Sequence, residues 1–387
     1  AGDYNGGGII GTVGDWALEE FFKSENDIVV NTPSMYGGSA RLSADKKPNG
    51  WYFFAAGPQI YHFNYFKVYL TAAKLADGLL QDDPRSAGFQ PLSQAPHADE
   101  PIARGAAFSL ISESFGDKLL NRLPTDGGNR PILVMVPGIM GTHLQEKNNR
   151  IWLDMASIVT GSFDKLKTEQ PEVTTDGLLK MTYGRFAEYM ASSHEVLFYP
   201  YDWRLSLRTE GGSFARYMDQ VLTVAAKNNR PVRIIAHSMG GLLVRMAAVL
   251  SSSAQQGNGW WHRFVALSGN RLVMAGTPNN GSWVVPFVLT GRDSVIKMLD
   301  IFDLQHSRKE LLDIVNRFTG FLEMLPWHGE NSNPCFDGET WKQWRMRDKE
   351  EWAPPDATLL AACRENRKLL DQFDFTTHAG TIRYVAG

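Results

Sequence analysis

Cysteine is nearly missing from this chain: Cys335 and Cys363 are the only two in 387 residues. Two are too few for a disulfide framework, and their spacing is not that of metal ligands. They leave either one local bridge or two buried free thiols. No His-x-x-x-His, Cys-x-x-Cys or clustered carboxylate pattern occurs, so no catalytic metal is expected. Gly6, Gly7, Gly8 and Gly11 are not followed by a Lys-Ser/Thr pair, so they are not a phosphate loop, and no cofactor is implied. No apolar run approaches transmembrane length. The formal net charge is only −3, which calls for neither nucleic acid nor an anionic membrane surface as an obligatory partner. The opening Ala1-Gly2-Asp3-Tyr4 has no basic region and no initiator Met, so it is not an intact signal peptide. It reads as processed, truncated or engineered. The compartment stays open, with the cytoplasm as default.

What is present suits one large or two modest globular domains: 43% of residues are apolar and 21% charged. The run Pro131-Ile132-Leu133-Val134-Met135-Val136-Pro137 is continuously apolar, the pattern of a strand buried on both faces of a parallel sheet. Further strands are expected at Val196–Tyr199, Val232–Ala236, Leu272–Ala275 and Thr381–Ala386, and earlier ones at Ile28–Val30 and Trp51–Ala56. Helical periodicity is expected near 63–80, 107–121, 185–193, 212–227 and 240–252. Alternating strands and helices imply a mostly parallel α/β sheet flanked by helices. Residues 82–105 read as a linker. Residues 283–377 break the rhythm and are rich in Trp, Phe and charge. The expected division is therefore 1–81, a first core segment; 82–105, linker; 106–282, the main core; 283–377, an inserted cap; and 378–387, a last core strand.

The most informative stretch is Ile234-Ile235-Ala236-His237-Ser238-Met239-Gly240-Gly241. A β-branched run meets small-x-Ser-x-Gly, and an amphipathic helix follows. That is the strand–turn–helix setting of a nucleophile elbow, in which the turn lifts a Ser hydroxyl clear of the sheet. Without that chemistry the same string would be an ordinary strand-to-helix turn. About 100 residues earlier, Val136-Pro137-Gly138-Ile139-Met140-Gly141-Thr142 leaves the first strong strand. Acyl transfer builds negative charge on a carbonyl oxygen, and two fixed amide donors stabilise it. One donor follows the nucleophile, here Met239; the other comes from this early loop, here Ile139.

Five motifs then occur in order: Pro-Gly-Ile-Met-Gly-Thr-His-Leu at 137–144, Ile151-Trp152-Leu153-Asp154, Tyr199-Pro200-Tyr201-Asp202-Trp203-Arg204, the Ser238 turn, and Gly276-Thr277-Pro278-Asn279-Asn280-Gly281-Ser282. The set resembles the lecithin:cholesterol acyltransferase-like branch of the α/β-hydrolases, which includes phospholipases and acyltransferases. The resemblance covers roughly 130–290. It implies an α/β-hydrolase fold, a Ser-His-Asp triad and a lipid or other acyl-ester substrate, with room for transient contact with a lipid surface. Asp202 and Arg204 are expected to brace the site as an ion pair. Asn279 to Ser282 read as a structural turn, so Ser282 is not a second nucleophile.

In that fold the acid and the His follow the Ser along the chain. Here the chain reaches Tyr384-Val385-Ala386-Gly387, which resembles the strand before the acid. His306, His328 and His378 fall at the wrong points of the rhythm. The first segment supplies candidates instead. Asn26-Asp27-Ile28-Val29-Val30-Asn31-Thr32-Pro33-Ser34 resembles the acid-bearing turn, and Ile60-Tyr61-His62-Phe63-Asn64 resembles the His-bearing loop. Asp27 would accept the Nδ1 proton of His62 and leave Nε2 to take the Ser238 proton. Outside such a triad, Asp27 would be a solvated turn carboxylate and His62 a core histidine among aromatics. Read cyclically, from about 106 through 387 and on through 1–80, the segments follow the usual hydrolase order. A circularly permuted or reordered chain fits, and so does a window cut from tandem hydrolases.

The expected activity is cleavage of carboxylic esters through an acyl-enzyme on Ser238. The alternatives are acyl transfer by the same mechanism, and a hydrolase-fold binding or effector module. The 283–377 insertion, with Trp283, Phe287, Phe302, Phe318, Phe321 and Trp327, would cap the acyl pocket; a packing subdomain would have the same composition.

Overall fold

A computed structural model describes residues 51–52, 65–66, 68–80, 87–89, 118–119, 121–152, 162–169, 172–254, 259–292, 306–327, 334–347, 352–372 and 380–385. Asp27, His62 and the strand expected at 28–30 lie outside the described residues.

The continuous apolar runs form the centre. β3 (Ile132–Val136) is buried along its whole length, and β8 (Val232–His237) nearly so. Only a strand covered on both faces can bury every side chain, so these two sit between helical layers. β7 (Glu195–Phe198), β9 (Arg271–Ala275) and β10 (Ile382–Val385) complete the runs read from sequence. β1 (Trp51–Tyr52) joins them. The order across the sheet is β1-β10-β9-β8-β3-β7, and every pairing is parallel. Parallel neighbours need crossovers, which the helices supply. Those described include α1 (Tyr69–Leu80), α2 (Lys180–Ala191), α3 (Leu207–Ala226), α4 (Met239–Ala254) and α5 (Trp260–Ala266).

The sheet is parallel throughout and has one distinctive feature. Moving out from β3, the strands run β8, β9, β10 and then β1. Among the described residues the first strand in sequence thus lies beyond the last, with Trp51 opposite Tyr384 and Tyr52 opposite Val385. The two ends of the chain contribute to one sheet, in the cyclic order the sequence suggests. Register also aligns the carboxyl ends: Tyr52 pairs Val385, Val385 pairs Ala275, and Ala275 pairs His237.

A second, antiparallel sheet has the order β2-β6-β4-β5. It consists of β2 (Lys118–Leu119), β4 (Thr142–Glu146), β5 (Asn149–Trp152) and β6 (Val173–Leu179). Lys118 and Leu119 pair with Leu179 and Leu178. The helix expected over 107–121 is corrected there: residues 118–119 are a two-residue edge strand, set by the partner strand and not by any local period.

Beyond β9 the described chain is helical: α6 (Val284–Leu289), α7 (Arg308–Val315), α8 (Thr319–Leu322), α9 (Gly338–Arg347) and α10 (Ala357–Gln372). Phe318, Phe321 and Trp327 are buried in this layer. Phe318 packs edge-on against Trp203 at 5.6 Å. Cys335 and Cys363 are both buried and free, and no helix among the described residues is long and apolar enough to cross a membrane.

Candidate active site

Ser238 stands directly after β8, at the carboxyl end of the sheet. Its φ is +51°, a left-handed conformation that costs a non-glycine residue energy. The surroundings hold it there. The Ser238 amide donates to the Ala275 carbonyl at 2.8 Å, and the Ser238 carbonyl accepts from Gly241 at 3.0 Å. A Cβ on Gly240 would lie 2.3 Å from the Pro137 carbonyl oxygen, so only glycine lets α4 start this close to β3. The Ser238 side chain is 1% exposed, and its Oγ has no hydrogen-bond partner among the described residues. A buried hydroxyl left unpaired is costly and uncommon.

The loop after β3 comes up against this turn. A Cβ on Gly138 would lie 2.9 Å from the Ser238 Cβ and 3.0 Å from His237 Nδ1. The loop's own donors are largely committed. Pro137 has none. The Gly138 amide donates to the Tyr183 hydroxyl at 2.9 Å, and the Gly141 amide to the Gly138 carbonyl at 3.1 Å. No hydrogen bond engages the Ile139 or Met239 amides among the described residues. Met140 takes a positive φ of 59°, which turns its carbonyl towards the Trp152 indole at 3.1 Å.

His237 is 4% exposed and sits in an aromatic cage. Tyr65, Phe66 and Tyr183 meet it edge-on with ring centroids 6.0, 5.0 and 6.0 Å away. Tyr65 and Phe66 therefore place the chain three and four residues past His62 beside the residue that precedes Ser238. The Tyr183 hydroxyl also lies 3.0 Å from His237 Nδ1. No local pattern signals this contact: in the sequence Tyr183 looks like one more aromatic at the start of an amphipathic helix.

The remaining motifs touch as well. The Tyr201 amide donates to Thr142 Oγ1 at 3.3 Å, and the Trp203 indole to the Thr142 carbonyl at 3.2 Å. Arg204 grips both Asp202 oxygens at 2.9 and 2.6 Å and caps the Leu166 carbonyl at 2.8 Å. This pair is buried and paired as the sequence suggests, a brace with no bond left for chemistry. α8 closes over it: a Cβ on Gly320 would lie 2.3 Å from the Trp203 carbonyl oxygen and 2.6 Å from Met239 Cε. Glu323, at the end of α8, accepts from the Leu207 amide at 2.6 Å and from Asn366 at 2.5 Å. Burial pushes its carboxyl up to about 7, against the lowering effect of those two donors.

Of the residues singled out from sequence, Ser238, Ile139 and Met239 therefore meet at one end of the sheet. Asp27 and His62 lie outside the described residues. Among the described residues no cluster of three or more His, Cys, Asp or Glu could hold a metal ion.

Residues 189–351 match the family model described as lecithin:cholesterol acyltransferase. No curated protein matches the chain. Among solved structures, the crystal structure of Bacillus licheniformis lipase BlEst2 in mature form is similar at 13% identity and a TM-score of 0.25; the match covers 51% of this chain and 61% of that one.

Proposed function

We propose, from an α/β-hydrolase sheet whose residues 189–351 are similar to lecithin:cholesterol acyltransferase, that this chain transfers acyl groups from carboxylic esters, lipid esters foremost. The observation that carries the reading is the Ser238 turn. A serine strained at φ +51°, buried and unpaired, faces a loop whose Ile139 amide is uncommitted.

In this mechanism Ser238 Oγ attacks the ester carbonyl carbon and its proton passes to His62 Nε2. The Ile139 and Met239 amides hold the oxyanion. Collapse of the tetrahedral intermediate breaks the ester C–O bond. The departing alkoxide takes the proton from His62, and an acyl-enzyme is left. Water then attacks the acyl carbon with His62 again accepting the proton; collapse of this second intermediate breaks the bond to Ser238 Oγ, which takes the proton back from His62 as the carboxylic acid leaves. Asp27 keeps the His62 ring in the required tautomer and orientation. What supports His62 is the chain beside it: Tyr65 packs on His237, and three residues of chain span at most about 11 Å. The aromatic helices of 283–377 would cover the acyl chain.

The test is release of chromophore from nitrophenyl esters of increasing acyl length, with and without an added alcohol. Release that rises with chain length and depends on Ser238 supports the reading. New ester formed with the alcohol would assign the enzyme to acyl transfer instead of hydrolysis. A well-folded protein with no turnover and no acyl group on Ser238 would make it a binding module.

A further inference from the structure

We propose that Tyr183 is a positioning residue that sets the early loop against the Ser238 turn and decides which amide receives the oxyanion. The proposal rests on the acyl-transfer reading above and goes one step further into the same site.

Tyr183 lies on α2, an element otherwise remote from the nucleophile turn. It is 2% exposed. Its oxygen accepts from the Gly138 amide at 2.9 Å. Burial holds the phenol far above its ordinary range, so it stays protonated. Because its oxygen already receives the Gly138 proton, its own O–H is free to point at His237 Nδ1, 3.0 Å away. One hydroxyl thus links the loop after β3 to the residue before Ser238: Gly138 N–H to Tyr183 O–H to His237 Nδ1. That places the other His237 proton on Nε2.

The link has two consequences for the reaction. It engages the Gly138 amide, which would otherwise compete for the developing negative charge. It also holds the loop in register. A Cβ on Gly141 would lie 2.7 Å from the same hydroxyl, so the loop folds around Tyr183 on both sides of Ile139. An oxyanion donor must lie within about 3 Å of where the charge develops, and this loop has no other side-chain hydrogen bond to a neighbouring element at Gly138 among the described residues. The ring itself packs against Phe66 at 5.1 Å and edge-on against His237 at 6.0 Å, contacts that a phenylalanine ring keeps. Removing the hydroxyl therefore leaves the packing in place and cuts the link alone.

The experiment compares wild type, Tyr183→Phe, His237→Phe and the double variant by the rate at which a fluorophosphonate labels Ser238, and by steady-state ester turnover. The link predicts that Tyr183→Phe lowers both kcat and the labelling rate about 10- to 100-fold, less than outright loss of an oxyanion donor, with KM within about twofold. His237→Phe breaks the same chain from the other end. The double variant should be no worse than His237→Phe alone, since Tyr183→Phe then cuts a link that is already lost. If Tyr183→Phe does not fold, His237→Phe carries the test by itself. Rates within about twofold of wild type in a folded single variant overturn the role of Tyr183 and leave the acyl-transfer reading standing. Wild-type protein that takes no label on Ser238 overturns that reading, and the role of Tyr183 with it.

Discussion

Glu195 opens β7 at the amino end of the sheet, while Ser238 follows β8 at the carboxyl end, and the two ends are built on opposite terms. Glu195 is surrounded by donors. Its Oε1 accepts from Arg122 at 2.7 Å, from the Thr125 amide at 2.8 Å and from the Thr125 hydroxyl at 2.7 Å, and its Oε2 accepts from Arg230. Arg230 in turn donates to the Arg130 carbonyl at 2.7 Å. Nearby, Asn270 bridges Val232 and Phe264 at 2.7 and 2.8 Å. At the other end stand a strained serine, an unpaired hydroxyl and two uncommitted amides. Closing the amino end stabilises the sheet. Under the proposed function, leaving the carboxyl end unsatisfied keeps donors and a nucleophile ready for a group that arrives from outside.

The two carboxylates repeat the contrast. Burial raises the Glu195 carboxyl, but the bonds from Arg230, Thr125 and Arg122 together outweigh it and hold it near 2. Glu323, beside the site, has an asparagine, an amide and the charge of Arg367 to set against burial, and is held near 7.

Breaking the carboxyl end should cost function and little else. Ser238→Ala is expected to lower ester turnover by about 10⁴-fold or more, with an unchanged or slightly raised melting temperature; steady-state kinetics and calorimetry on one preparation check both. Breaking the amino end should do the reverse. Glu195→Ala strands Arg230 without its carboxylate and is expected to lower stability by roughly 3–5 kcal/mol, with kcat per folded molecule unchanged, as read by urea unfolding and active-site titration.

The pH dependence of stability sharpens the contrast. The Glu195 carboxyl is depressed on folding, so its contribution is present above about pH 4.5 and is lost as pH falls towards 2. Glu323 is raised, so the folded state keeps a proton that the unfolded state releases. Stability falls as pH rises from about 4.5 through 7 and then levels off. Burial raises the Glu210 carboxyl to about 7 in the same way, so unfolding curves between pH 3 and 9 should lose part of the neutral limb in Glu323→Gln and keep the acidic one. An unaltered neutral limb would remove Glu323 from the account.

Legibility from sequence follows the same division. β3 shows as a continuous apolar run, and β7, β8, β9 and β10 as largely apolar ones, because both their faces are buried. The Ser238 turn shows because glycine is required beside it. The antiparallel sheet does not show. Thr142–Glu146 and Val173–Leu179 bury only part of their length, so neither a continuous run nor a clean alternation marks them. Lys118 and Leu119 carry no local signal, since their strand exists only through pairing with Leu178 and Leu179. Tyr183 was invisible for a related reason. Its role depends on a 45-residue separation from Gly138 and a 54-residue separation from His237, which no local period encodes. The cyclic strand order was legible only because early and late segments of the chain resemble consecutive parts of one fold; in the sheet β1 pairs with β10.

The most direct test is to treat the folded protein with a fluorophosphonate and map the adduct by peptide mass spectrometry. The account predicts one phosphonyl group, on Ser238, with none on Ser282 and none in Ser238→Ala. A folded protein that takes no label, or takes it on another serine, would contradict it.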